Sequence, residues 1–183
     1  MKPVMRACVR LAILALAGCA SLPVYNAEYS ETYRAGETKA IPEVPVVVRG
    51  APFAMPKAEF DGSVVNAMQG WSGSSDRFAV ASNPNAPYRV IMVFNPSANS
   101  YTAGICDRPV SAEGAADATA SPKLPMAAAL CRGDNFLSYI SGSIDTAGGP
   151  DAAEFRTAIG QATQSLFPVQ NPASNSTRGC DHC

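Results

Sequence analysis

Two periods of apolar residues organise this 183-residue chain. A period near 3.6 marks helices, and a period of 2, or a short unbroken apolar run, marks strands. The first strand is expected at residues 44–48, Val-Pro-Val-Val-Val, where Pro45 suits a strand start or an edge. A helix is expected over residues 57–69, because Phe60, Val64, Met68 and Trp71 recur at helical spacing between Pro56 and Gly70. Asp61 and Gly62 interrupt that pattern. Phe78-Ala79-Val80-Ala81 reads as a short strand. Residues 88–95 read as the strongest one, apolar on both faces and therefore central.

A turn at residues 95–100 and a returning strand at 101–106 would form a hairpin. Residues 111–121, rich in Ala and Ser, read as an exposed loop. Residues 124–131 and 136–144 form a second expected hairpin around Arg132-Gly133-Asp134-Asn135. Its Arg-Gly-Asp resembles an adhesion motif, but turn chemistry already explains Gly and Asp there. The last helix spans 151–167. Asp151 and Glu154 have capping-box spacing, and Ala152, Phe155, Ile159, Ala162 and Leu166 share a face. The order β-α-β-β-β-β-β-α predicts an α+β fold: a mainly antiparallel sheet of about five or six strands with two helices packed on one face.

The first residues read as an address rather than as structure. Lys2, Arg6 and Arg10 precede a short apolar run, Leu11-Ala12-Ile13-Leu14-Ala15-Leu16, too short to span a bilayer. Leu16-Ala17-Gly18-Cys19 follows, and it resembles the lipobox of bacterial lipoproteins. The resemblance implies cleavage between Gly18 and Cys19, diacylation of the Cys19 thiol, and acylation of the new amino group. Several acyl chains anchor a protein stably without a transmembrane helix. Ala20, where an Asp would signal inner-membrane retention, implies the outer membrane, with the domain facing the periplasm. The expected organisation is a signal peptide (1–18), a lipidated Cys19 with a tether (19–43), one α+β domain (44–168) and a tail (169–183). The tether carries Tyr25, Tyr29 and Tyr33 at four-residue spacing, which also fits one stripe of a short docking helix.

The formal net charge is −1, and charged residues make up 16%. Loss of residues 1–18 removes three cations and no anions. Lys+Arg then falls from 14 to 11 against 15 acids, a net of −4. A nucleic-acid partner held by basic charge is excluded.

Four cysteines remain in the mature chain: Cys106, Cys131, Cys180 and Cys183. In an oxidising compartment disulfides are the default, and four cysteines allow three connectivities. Cys106 with Cys131 is favoured, since both sit in apolar strand-like segments that can be neighbours. Cys180 and Cys183 would then close locally. The tail Cys180-Asp181-His182-Cys183 also offers two thiolates and an imidazole as weak candidate metal ligands. No helix follows it to depress a thiol pKa, which argues against thioredoxin-like chemistry.

No phosphate loop or nucleophile elbow is present, and the single histidine, His182, sits in the tail. No catalytic residue and no cofactor is therefore expected. Arg89, a charge on an apolar strand, reads as an edge or strand-end charge rather than a ligand. The lipobox, APYRVIMVFNP, LCRGDNFLSYISGSI and FRTAIGQATQSLFP together resemble small envelope lipoproteins of proteobacteria. The resemblance implies a non-catalytic, membrane-anchored periplasmic lipoprotein that binds an envelope protein or helps maintain the envelope. The alternatives are a ligand- or metal-binding lipoprotein using Cys180, His182 and Cys183, and a cell-wall hydrolase.

Overall fold

The computed structural model describes residues 25–72, 77–96, 104–107, 123–145 and 148–170. Among these, six strands form one mixed sheet: β1 (Asn26–Tyr29), β2 (Val44–Arg49), β3 (Phe78–Val80), β4 (Tyr88–Phe94), β5 (Lys123–Arg132) and β6 (Asn135–Asp145). The helices are α1 (Lys57–Met68) and α2 (Ala153–Leu166), with a short 3-10 turn at Glu37–Ala40. The strand order is β1-β6-β5-β4-β2-β3. The β1–β6, β6–β5 and β5–β4 pairs are antiparallel, and β4–β2 and β2–β3 are parallel. This is the expected α+β class.

The core follows from strand parity. Val44, Val46 and Val48 of β2, Val90, Met92 and Phe94 of β4, and Met126, Ala128 and Leu130 of β5 face the helices. Phe60, Val64 and Met68 of α1 and Phe155, Ile159 and Leu166 of α2 cover them. Phe53, Phe60, Phe94 and Phe155 pack ring on ring, with Phe60 and Phe94 centred 5.0 Å apart. The opposite face buries a smaller cluster of Ile91, Val93, Ala127, Ala129, Cys131 and Tyr139 under Ile105 and Cys106. β4 is apolar on both faces because both are buried, as its unbroken run predicts.

Four expectations need correction. The chain folds before residue 44: Asn26–Tyr29 pairs with β6, and Tyr33 and Thr38 are buried, so the expected tether is from Tyr25 onward part of the domain. A spacing of four also places residues on one face of a strand, because four is a multiple of two. The strand expected at 101–106 is not among the six: residues 104–107 form a turn, and 101–103 lie outside the described residues. Its place beside β4 is taken by β5. The residue at the α2 N-cap is Ala152, with no side-chain bond, so Asp151 does not cap it. Arg89 is not at an exposed strand end but 5% exposed, with its side chain on the face away from the helices.

The β5–β6 hairpin is as expected, with Gly133 at φ 57° in its two-residue turn. A bulge at Leu130/Cys131 lets Cys131 pair with Phe136 and Leu130 with Ser138. Leu137 and Ser138 thereby both turn toward the helices. The Ser138 hydroxyl donates to the Leu166 carbonyl (2.7 Å), satisfying one of the orphan acceptors that end α2.

Candidate functional site

The lipidation residues Gly18 and Cys19, and the tail residues Cys180, His182 and Cys183, lie outside the described residues. The expected Cys106–Cys131 disulfide is formed, with Cα atoms 5.7 Å apart. It ties the 104–107 turn to β5 on the face away from the helices. Arg89 reinforces that tie. Its guanidinium donates to the Cys106 carbonyl (2.5 Å) and the Ala86 carbonyl (2.9 Å), while its buried Nε has no partner. Burial and the nearby Arg89 charge hold the Arg49 guanidinium below its ordinary range.

The three tyrosines of the N-terminal segment act as a clamp. Tyr25 donates to the Ala158 carbonyl (2.9 Å), Tyr29 to Ser165 (2.8 Å) and Tyr33 to Pro168 (3.1 Å). Ser165 lies in the last turn of α2, where carbonyls lack helical partners, and Pro168 lies just beyond that helix. Burial raises the pKa of both Tyr25 and Tyr29, so the phenols stay neutral donors.

Beyond Tyr33 the chain passes the end of the sheet where β4 begins and β5 finishes. Here it borders a hollow of about 180 Å³ lined by Tyr33, Glu37, Lys39, Leu130, Phe167 and Val169. Glu37 is its chemical centre. One carboxylate oxygen, Oε1, accepts from the Tyr88 hydroxyl (2.9 Å) and from Arg132 (2.6 Å). The other, Oε2, is buried without a hydrogen-bond partner. Hydrogen bonding to Tyr88 and the Glu37 carboxylate hold the Arg132 guanidinium above its ordinary range. The hollow thus gathers the cations Arg34 and Lys39 and the 69% exposed Val169 around Glu37, whose Oε2 is closed off from solvent.

This group was not legible in the sequence. Glu37, Tyr88 and Arg132 are separated by 51 and 95 positions along their hydrogen-bonded pairs, and none belongs to a motif. A second, more open hollow of about 530 Å³ lies near Ser30, Thr32, Cys106, Arg132 and Asp134. Among the described residues, no three His, Cys, Asp or Glu side chains cluster as metal ligands. Among them, too, no helix is long and apolar enough to cross a membrane.

No family model matches the chain, and no curated protein matches it. Among solved structures it is similar to the PelC dodecamer from Paraburkholderia phytofirmans, with 14% identity and a TM-score of 0.44. A point variant of that dodecamer matches at 13% identity and the same TM-score. Each match covers 81% of this chain and 100% of the other. A likeness this distant carries no function across.

Proposed function

We propose that this chain is a non-catalytic lipoprotein of the bacterial envelope, anchored through Cys19 to the outer membrane, whose periplasmic domain binds an envelope protein. The observation that carries this reading is a spacing. A lipobox-like Leu-Ala-Gly-Cys ends at Cys19, and six residues later Tyr25 is hydrogen-bonded into the fold. An anchor and a domain joined so closely suit a module held at a membrane surface rather than a released enzyme. The hollow beside Glu37, with the exposed Val169 at its rim, supports a binding role.

Metabolic labelling with palmitate tests the anchor. The wild-type chain should take up label and sediment with outer membranes, and Cys19→Ala should do neither. Unlabelled wild-type protein would overturn the reading. For the binding role, cross-linking in cells should trap a stoichiometric envelope partner whose yield falls in Val169→Asp. That exposed substitution leaves the core untouched, so an unchanged yield would exclude the hollow as the binding site.

A further inference from the structure

The strand directions show from which end the chain enters the domain. β1 is antiparallel to β6, β6 runs with β4, and β4 runs with β2. The chain therefore enters β1 from the end of the sheet where β2, β4 and β6 finish and both helices begin. Cys19 and Tyr25 are six residues apart, a reach of at most about 20 Å for an extended chain.

The same end carries an unusual loop. Between β2 and α1 runs Gly50-Ala51-Pro52-Phe53-Ala54-Met55-Pro56, without one polar side chain. Phe53 and Met55 pack partly on the core, leaving Ala54 and Pro56 exposed at the tip. The loop lies beside the point of entry: Phe53 is centred 5.7 Å from Phe155 of α2, and Tyr25 bonds Ala158, three residues further along that helix.

We propose that this end of the domain, led by the apolar loop 50–56, rests on the bilayer that holds Cys19. The inference depends on the lipoprotein reading above. Its two supports are independent: the short reach from Cys19, and an apolar tip at the end from which the chain comes. The contact is apolar rather than electrostatic. The mature chain carries a net −4, which anionic headgroups repel, and the nearest exposed cation, Lys57, is paired with Asp61 and bonded to the Val48 carbonyl. One consequence is that the Glu37 hollow, at the opposite end of the sheet, faces away from the membrane.

The chain has one tryptophan, Trp71, just past the far end of α1. The twelve residues of that helix separate it from the loop by about 18 Å. Lipidated full-length protein is reconstituted in vesicles of phosphatidylethanolamine and phosphatidylglycerol, with or without bromine on the acyl chains. Emission of the Ala54→Trp, Trp71→Phe variant should fall about twofold with brominated lipid, because an interfacial segment sits ~5–10 Å into the headgroup–acyl boundary. Wild-type emission, from Trp71 alone, should not change, and neither result should depend on salt. Ala54→Trp with Trp71 retained should show a fall of about a quarter, the Trp71 half of the emission being unquenched, if the double variant folds poorly. Protein that floats with the vesicles but shows no quenching at position 54 overturns the docking and leaves the anchor standing. Equal quenching at positions 54 and 71 overturns the choice of end. Protein that does not float, with no lipid on Cys19, overturns both readings.

Discussion

At Tyr25 the fold holds a neutral phenol against the Ala158 carbonyl, and burial lifts its pKa well above the ordinary tyrosine range. A group whose folded pKa is raised stabilises the fold fully below its unfolded pKa of about 10, and this contribution is lost as pH rises toward the folded value. Tyr25→Phe should therefore lower stability by about 1 kcal/mol near neutral pH, the usual worth of a side-chain hydrogen bond. The gap between the variant and the wild type should hold to about pH 9, then narrow and close at about pH 11 as the unfolded phenol ionises. Thermal melts across that range measure it, and a gap independent of pH would contradict the assignment. Ser138 offers a second reading at this scale. Its hydroxyl is buried and serves the Leu166 carbonyl, so Ser138→Ala should cost about 1–3 kcal/mol in denaturant titrations, the penalty for stranding a buried acceptor.

Two helical glycines, alike in sequence, have opposite surroundings. Gly62 lies inside α1, and a Cβ built there would meet nothing within 4 Å. Gly62→Ala should stabilise the domain by about 0.5–1 kcal/mol, because alanine loses less backbone entropy in a helix. Gly160 lies inside α2 under the Trp71 indole, and a Cβ there would clash with the ring. Gly160→Ala should displace that ring, shift Trp71 emission to the red and lower stability by about 1 kcal/mol, overpacking outweighing the gain in helix propensity. Paired fluorescence and denaturation curves check both signs. The periodicity places Trp71 on the α1 stripe, yet the helix ends at Met68, and Trp71 instead seals α1 against α2. The capping-box spacing of Asp151 and Glu154 misleads for a similar reason. Helix ends are decided by where the chain must turn to pack, and here Ala152 occupies the N-cap.

For the whole molecule, the Cys106–Cys131 disulfide closes a 25-residue separation and holds the 104–107 turn over the face opposite the helices. Loop-closure entropy assigns such a link about 3.5 kcal/mol. Replacing both cysteines by serine should remove roughly that much in urea unfolding, and reductant should destabilise the wild type to a similar degree but leave the double variant unchanged. The molecule is also polar along its strands. The chain's entry and the apolar loop 50–56 lie at one end, and the Glu37 hollow at the other. Under the proposed anchoring, that arrangement turns the apolar loop toward the membrane and the Glu37 hollow away from it.

The sequence by itself determined the class of fold and most of its elements. β2, α1, β4, the β5–β6 hairpin and α2 announce themselves through local periodicity, and local periodicity depends only on neighbours in the chain. It also singled out the disulfide pair, since both cysteines sit in apolar segments. Only the tertiary structure decided what the polar N-terminal segment does. Asn26–Tyr29 is a weak strand with exposed side chains, and it exists because β6 offers an open edge and α2 offers carbonyls to Tyr25, Tyr29 and Tyr33. The Glu37–Tyr88–Arg132 group likewise arises from three distant strands and turns meeting at one end of the sheet. Such contacts leave no periodic trace, because what they require is proximity in space rather than spacing along the chain.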